Sequence, residues 1–357
     1  ALSFALLLRT SRARSRALLR TLRGERLAPR WGTEDRPVSI PVTLRNGAAR
    51  ALTGVRLTDK FAADREPEKE VRIPERIEPG EEVLAGYSAG CRRRRGRYLL
   101  GPLRAGWEDP LGLFRCERVL GPEVPFTLLP TVFPIGKAAL GGVPRWDAMG
   151  RQSFRKAGNS RTLFGTREHR PGESLRFVHW PSVARTGTLV VREFEIDESA
   201  EVTLFLDLHY HALKGIGRET TLEYAVRAAA SLAAHAVSQG CPVQLIARGR
   251  RTVHIPPGGG QVHLVAILDA LSSVAPDGDL PFPDLVERHL DRLAPGGTAV
   301  LLFNTCDIDL ARHVDAIAAA RSRGTRVVAV LVDDNSFLNL WEGAGQKRIH
   351  AGLVPDV

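Results

Sequence analysis

The sequence predicts a multidomain α+β protein, with an antiparallel β-sandwich in its first part and a doubly wound α/β domain in its second. Two observations predict this class. From Val38 onward, apolar and polar residues alternate over short runs, which turn signals such as Asn46-Gly47 and Pro79-Gly80 separate. From about residue 200, continuous apolar runs alternate with helical patterns, which is typical of parallel strands covered on both faces.

The composition is that of a globular protein. The chain of 357 residues is 43% hydrophobic and 25% charged, which excludes a disordered or fibrous class. Its four cysteines lie far apart without a C-x-x-C pair, so we expect neither a disulfide framework nor a structural zinc site.

The net charge of +10 comes from two stretches of the chain. Residues 1–26 carry seven Arg and one Glu, and residues 91–104 carry six Arg and no acidic residue. We interpret the run Arg92–Arg95 as an exposed strand edge with a basic face. Nucleic-acid binding through this run is a weaker hypothesis, because it has little aromatic interleaving and no helix-turn-helix pattern accompanies it.

The segment 1–27 is predicted to be the end of a transmembrane helix and its basic flank. An apolar run that ends in arginines is typical of the cytoplasmic end of a membrane helix, although residues 1–8 are too few to span a bilayer. We therefore expect a protein of the cell membrane whose soluble domains face the cytoplasm. An amphipathic solvated helix is the alternative, because Leu18, Leu19 and Leu22 share one face.

The β-sandwich, with an immunoglobulin-like arrangement, is predicted over residues 28–135. Val38, Ile40, Val42 and Leu44 point to one side of a strand, and Pro41 within it indicates an edge strand or a bulge. Residues 136–198 are assigned to a linker and a block of distinctive sequence.

The α/β domain is predicted over residues 199–357. The patterns indicate strands at 202–206, 243–247, 298–303 and 326–332, and helices at 220–239, 262–271, 284–293 and 310–321. Ligands of such sheets bind beyond the carboxyl ends of the strands, so the loops after Leu206 and Phe303 are where a site is expected.

Two sequence blocks resemble a known family. The first reads R-G-R-Y, then G-P, then D-P-L-G-L-F, and includes Asp109 and Gly112. The second reads R-P-G-E-x-x-R-x-x-H-W, then A-R, then L-V-V-R-E-F-E; its polar and aromatic members are Arg170, Gly172, Arg176, His179, Trp180, Arg185 and Glu193. Such a set can lock a loop through Arg–carboxylate pairs or form a partner-binding surface. Together the blocks resemble the bacterial domain of unknown function 58 family, over about residues 22–355.

The resemblance implies an order of domains that agrees with the one above. Members of such families typically carry N-terminal transmembrane helices, then a β-rich region and a C-terminal domain similar to a von Willebrand factor type A fold. They are often encoded beside a MoxR-type AAA+ ATPase, which the resemblance implies as a partner. No biochemical activity is established for the family.

A degenerate ion site is expected just after the first α/β strand. A von Willebrand type A domain places Asp-x-Ser-x-Ser there, whereas this sequence keeps Asp207 and has His209 and His211 in place of the serines. Asp307 or Asp309 would supply a later acidic ligand, and the loop 258–261 offers no clear match to the threonine of the type A pattern. Two imidazoles weaken a Mg²⁺ site and favour softer ions. We expect a site that binds partners or nothing, without a cofactor; a divalent metal is the alternative.

The sequence therefore predicts a membrane-tethered scaffold or adaptor without enzymatic activity. Its partners would be proteins, including a MoxR-type AAA+ ATPase, and not nucleic acid. The G-x-x-x-x-G-K-[ST], G-x-S-x-G and H-E-x-x-H motifs do not occur in the sequence. The alternative is a metal-dependent enzyme that uses Asp207, His209 and His211.

Overall fold

The protein has a mixed α+β architecture with several sheets. The computed structural model describes residues 20–73, 76–108, 115–136, 163–168, 183, 185, 188, 190–194, 201–304, 309–334 and 337. The N-terminal β-rich region that the sequence predicts is confirmed. In the part of the chain that the structure describes, no helix is both long and apolar enough to span a membrane.

Within its described residues, the β-rich region contains ten strands in three sheets. Their orders are β1-β3-β6, β2-β10-β7 and β5-β4-β8-β9, and neighbouring strands are antiparallel except for the parallel pair β2–β10. The strands are β1 (Leu22–Arg26), β2 (Trp31–Thr33), β3 (Pro37–Asn46), β4 (Val55–Lys60), β5 (Glu68–Ile73), β6 (Glu82–Gly90), β7 (Gly96–Leu100), β8 (Leu103–Glu108), β9 (Arg115–Gly121) and β10 (Val124–Leu129).

The first sheet contributes to two hydrophobic cores, because its strands alternate buried residues. Val42 and Leu44 of β3 pack with Val55 and Leu57 of β4 in a hydrophobic core between this sheet and the four-stranded sheet. Farther along β3 and β6, a second core forms against β7 and β10, where the rings of Phe61 and Phe126 meet edge to face with centroids 4.9 Å apart.

Two details of this region differ from the sequence-based expectations. Residues 22–26 form strand β1, although they lie in the segment 1–27 that we expected to be a membrane-side flank. Pro41 lies in the central strand of its sheet and not at an edge or a bulge. The Pro41 carbonyl accepts from the backbone N–H of Leu27 (3.0 Å), just beyond the last residue of β1. The hydrogen bonds between β1 and β3 end at this point, so the N–H that proline lacks is not needed there.

Between the two main regions, the structure describes a small two-stranded sheet. Strand β11 (Leu163–Glu168) pairs antiparallel with β12 (Val190–Phe194); β11 precedes the second sequence block and β12 is part of it. The segment 136–198 therefore contains regular structure in addition to the predicted linker.

The C-terminal α/β region is built on a five-stranded sheet of order β17-β16-β13-β18-β19. Strands β13, β16, β18 and β19 run parallel, and β17 is antiparallel at one edge. The strands are β13 (Val202–Leu206), β16 (Val243–Arg248), β17 (Thr252–Gly258), β18 (Thr298–Asn304) and β19 (Arg326–Val332), with the short strands β14 (Gly215–Ile216) and β15 (Glu219–Thr220) forming a hairpin outside the sheet. The sequence reading missed β17, because Pro256 and Pro257 interrupt its alternation.

Helices cover both faces of this sheet. Helices α1 (Thr221–Ser238) and α2 (Gly260–Ser273) pack on one face, and α3 (Phe282–Glu287) and α4 (Leu310–Ser322) on the other. The predicted helix at 284–293 is split, because a 3-10 turn at Leu290–Arg292 follows α3. Strands β13 and β18 are buried on both faces, as their unbroken apolar runs indicate.

A group of six charged side chains joins the two regions; Glu34, Arg95 and Glu223 are buried, and Asp35 is its exposed member. This docking cluster consists of Glu34, Asp35 and Arg95 from the β-rich region and Arg218, Glu223 and Arg227 from the α/β region. Apolar contact adds to it, since Leu129 at the end of β10 belongs to the same core as α1 and α2.

Arg95 is the most deeply inserted member of the docking cluster. Its side chain is 3% exposed and its guanidinium lies 3.1 Å from the carboxylate of the fully buried Glu223. It also donates to the carbonyls of Leu271 (2.6 Å) and Val274 (3.0 Å), which end helix α2. Burial lowers the pKa of Arg95 and raises the pKa of Glu223, and the attraction between the two opposes both shifts.

The two acidic residues that the β-rich region contributes to the docking cluster pair with arginines of the α/β region. Glu34 is fully buried and accepts from the Arg95 backbone N–H (2.9 Å) and from the Arg227 guanidinium (3.2 Å). Asp35 forms a two-pronged pair with Arg218 (2.9 and 2.6 Å), which lowers the pKa of that carboxyl.

The reading of Arg92–Arg95 as an exposed basic edge is therefore wrong for Arg95. Arg92, Arg93 and Arg94 are exposed, but the fourth arginine turns into the interface, where Glu223 neutralises it. The residues also precede strand β7 and do not belong to a strand.

We predict that Arg95→Met lowers the free energy of unfolding by up to roughly 3–5 kcal/mol, because it removes the closest cation from the buried Glu223 carboxylate and leaves the exposed Arg94 at 3.8 Å. The double variant Arg95→Met/Glu223→Leu should recover most of this loss, since both charges are then removed. Urea unfolding of the full chain measures both effects.

The matched control is Arg72→Met, which removes an arginine from an exposed pair with Glu70. It should change the free energy of unfolding by less than about 1 kcal/mol. A small loss for Arg95→Met, similar to that of the control, would show that the docking cluster does not stabilise the fold.

Candidate functional site

A cleft lies at the carboxyl ends of β13 and β18, which is the edge of the sheet where the sequence places a site. Its cavity volume is about 10 Å³, within about 270 Å³ of empty space that includes open solvent. Polar side chains lie at the ends of the two strands, and apolar ones form the walls. The lining residues are Asp207, His209, Leu213, Thr221, Leu222, Ala225, Pro276, Leu302, Phe303 and Asn304.

Asp207 is the acidic group of the cleft. It follows β13 directly, and its backbone N–H continues the ladder by donating to the Leu302 carbonyl (2.9 Å). Its carboxylate accepts from the backbone N–H of His209 (2.9 Å), which is an Asx-type turn after the strand. Burial raises the pKa of Asp207 from 3.8 to about 6, and the His209 N–H opposes this shift.

No cationic side chain among the described residues forms an ion pair with Asp207. Its environment therefore disfavours the ionised form, and at neutral pH the carboxylate destabilises the folded protein. Polar groups that cost stability where they stand are typical of functional sites, because selection for folding alone would remove them.

The two histidines that follow Asp207 stack on the tyrosine between them. The ring centroids of His209 and Tyr210 are 4.8 Å apart, and those of Tyr210 and His211 are 4.1 Å apart. Burial lowers the pKa of His209, the nearby His211 lowers it further, and Asp279 opposes both. His209 lines the cleft, whereas His211 is exposed to solvent.

The predicted metal site of Asp207, His209, His211 and Asp307 stays a prediction. Asp307 lies outside the described residues. Among those that the structure describes, no group of three or more His, Cys, Asp or Glu side chains is arranged to hold a metal ion.

The structure adds Thr221 and Asn304 to the cleft, and the sequence reading missed both. Thr220 is the N-cap of α1 and accepts from the Glu223 N–H (3.3 Å), which sets Thr221 in the first helical turn facing Asp207. A signal existed, because paired threonines stand at the start of an apolar helical run and Asn304 ends a buried strand. The loop 258–261, which we compared with the threonine of the type A pattern, comprises the end of β17 and the start of α2.

An exposed apolar patch lies beside the cleft. This rim patch consists of Tyr210, Leu213 and Ile216, whose exposed fractions are 53%, 40% and 63%. Gly215 holds the β14–β15 hairpin tightly closed, since its φ is +96° and a Cβ there would overlap the Glu219 carbonyl oxygen. The hairpin therefore presents Ile216 at its tip to solvent.

The same segment that borders the cleft also carries half of the docking cluster. Arg218, Glu223 and Arg227 contact the β-rich region, while Thr221 and Leu222 between them line the cleft. The first turns of α1 therefore fix the cleft relative to the β-rich region.

Most residues of the two family blocks lie outside the described residues. These are Asp109, Gly112, Arg170, Gly172, Arg176, His179 and Trp180. Arg185 is described and exposed, and Glu193 lies in β12 opposite Gly165 of β11. Their roles stay predictions.

We predict that Asp207→Asn stabilises the protein in a pH-dependent way. Between about pH 4 and pH 6 the folded state keeps a proton on Asp207 that the unfolded state has lost, so the wild-type protein loses stability as the pH rises. The variant lacks this loss and should be more stable by roughly 2–3 kcal/mol at pH 7.5, with a small difference at pH 4. Urea unfolding across this pH range measures the difference.

Asp315→Asn, at an exposed position of α4, is the control and should show no such pH-dependent gain. If Asp207→Asn were destabilising at pH 7.5, the carboxylate would have a stabilising partner and the account of the cleft would be wrong.

Comparisons with known proteins support a family and leave the activity open. No curated protein matches the chain in sequence. Among solved structures, the CARDB domain of a Pyrococcus furiosus protein, in complex with di-metal ions, has a TM-score of 0.22 and 12% identity over 31% of this chain and 87% of that chain. The Pseudomonas fluorescens alkylpurine DNA glycosylase AlkC has a TM-score of 0.21 and 12% identity over 30% of each chain. A Listeria innocua β-glucosidase has a TM-score of 0.19 and 10% identity over 29% of this chain and 16% of that chain.

With TM-scores near 0.2, these structural likenesses carry no argument about function. The sequence comparison is more specific, because a family model matches residues 165–342, which include most of β11, the strands β12 to β19 and the cleft. The match to the family described as "Protein of unknown function DUF58" supports placing this chain in the DUF58 family.

Proposed function

We propose that this protein is a membrane-tethered scaffold or adaptor that binds a protein partner at the cleft and the rim patch. The observation that carries the proposal is the rim patch itself: three large apolar side chains are exposed within seven residues of the chain, next to a cleft that holds a partly buried carboxylate. Aromatic and apolar anchors next to a pocket are typical of binding hot spots.

The position of the cleft in the fold supports the same proposal. In open sheets with parallel strands, ligands bind beyond the carboxyl ends of the strands, and β13 and β18 both end at this cleft. We further propose that the α/β region is a von Willebrand factor type A-like domain in which His209 and His211 replace the usual serines. Such a domain would recognise a partner at this edge.

The membrane anchor and the ATPase partner rest on sequence alone. The apolar, Arg-rich segment 1–27 supports an anchor in the cell membrane with the soluble regions on the cytoplasmic side. The family resemblance supports a MoxR-type AAA+ ATPase as a partner, which would supply the nucleotide hydrolysis for which this sequence has no phosphate-binding loop motif.

A metal-dependent enzyme is the second candidate function, because Asp207 and His209 line one cleft together with the oxygen-bearing Thr221 and Asn304. These donors are of the types that divalent ions accept. Metal analysis of the purified chain decides between the two functions: a stoichiometric transition metal that is lost in His209→Ala/His211→Ala favours the enzyme, and a metal-free protein removes it.

We predict that the rim patch determines partner capture. The tagged wild-type protein, purified from its native host in mild detergent, should retain a MoxR-type ATPase, and Tyr210→Ser/Ile216→Ser should lose at least about 90% of it, as expected for hot-spot residues. Quantitative mass spectrometry of the eluates measures the loss.

Val262→Ser is the matched control, because Val262 is 88% exposed and lies on α2 away from the cleft residues. It should leave capture unchanged. A protein that retains no partner, or a rim variant that retains it fully, would contradict the proposed function.

A further inference from the structure

We propose that the cleft receives the side chain of a lysine from the partner protein, with the ε-ammonium group at Asp207 and the methylene chain against the apolar walls. This inference rests on the proposed function and specifies the chemistry that the partner must present.

The first argument is charge complementarity. Asp207 is partly buried at the end of β13, its carboxylate accepts from one backbone N–H, and no described cation pairs with it. A carboxylate in this state gains most from a ligand that brings a positive charge and several hydrogen-bond donors. An ammonium group brings both, and it can also donate to the side-chain oxygens of Thr221 and Asn304.

The second argument is the shape of the cleft. Its cavity volume of about 10 Å³ is close to the space that one water molecule needs, which suits the compact ammonium head. The planar guanidinium of an arginine is wider than an ammonium group, so we expect it to bind this small cavity less well. The walls nearest the opening are apolar, since Leu213, Leu222 and Pro276 contribute to them. A lysine side chain matches a cleft with apolar walls and a carboxylate, because its methylene chain is apolar and its end is charged.

The third argument is the surface that surrounds the opening. Leu213 belongs both to the cleft and to the rim patch, so the apolar walls continue outward to Tyr210 and Ile216. A partner segment that inserts a lysine would therefore place its flanking residues on these three side chains. We infer that the recognised segment carries a lysine next to apolar residues.

The test uses n-butylammonium, which reproduces the lysine side chain from Cβ outward, and saturation-transfer NMR at pH 7.5 on the full chain. We expect saturable binding with a dissociation constant in the millimolar range, as befits so small a ligand, and saturation transfer to the methylene protons. n-Butanol and n-butylguanidinium should bind at least about five-fold more weakly, because they lack the charge or the compact head. Asp207→Asn should weaken butylammonium binding about ten-fold or more, and Asp315→Asn should not.

Three results would overturn the inference. Equal binding of butylammonium and butanol would show that the charge is not recognised. Unchanged binding by Asp207→Asn would place the ligand elsewhere. Displacement of butylammonium by micromolar Mg²⁺ or Zn²⁺, dependent on Asp207, would assign the cleft to a metal ion.

These outcomes are separable from those of the proposed function. If the rim variant loses the ATPase while butylammonium does not bind the wild-type protein, the scaffold role holds and the lysine pocket is wrong. If butylammonium binds in the expected order and no partner is retained, the cleft chemistry holds and the proposed scaffold role is wrong.

Discussion

The buried attraction between Arg95 and Glu223 is the interaction on which the arrangement of this protein depends. Glu34 and Glu223 are fully buried, so each carboxylate destabilises the structure unless an arginine of the other region lies against it. Each region thus supplies the charge that the other requires. Moving the two halves apart would break these ion pairs, so the pairs favour one relative orientation.

Helix α1 links these ion pairs to the candidate site. Its first turn presents Glu223 to the β-rich region and Thr221 to the cleft, so the position of one follows from the position of the other. The cleft keeps an acidic group without a described counter-ion, although the docking cluster a few residues away is well paired. This contrast supports the proposal that Asp207 serves recognition, whereas the neighbouring charges join the two regions.

Local patterns determine most of what the sequence predicts correctly. The 18-residue helix α1 and the strand β19 lie close to their predicted bounds, because an amphipathic period and a continuous apolar run are both local signals. The direction of the parallel strands predicts which edge of the sheet holds the cleft. The sequence does not predict that Arg95 is buried, because a run of four arginines is typical of an exposed segment and its partner Glu223 is 128 residues away. Thr221 was missed for a similar reason: it reads as a helix start, and its nearness to Asp207 depends on the folded sheet.

Hydrogen exchange of the full chain tests the docking of the two regions most directly. Glu34→Gln changes a residue of the β-rich region, and the account predicts faster exchange of the backbone amides of residues 223–227 in α1, with no change in α4. Glu70→Gln, at a half-exposed position of β5, should leave both helices unaffected. If Glu34→Gln altered exchange only within the β-rich region, the buried ion cluster would not join the two halves and the central claim would be contradicted.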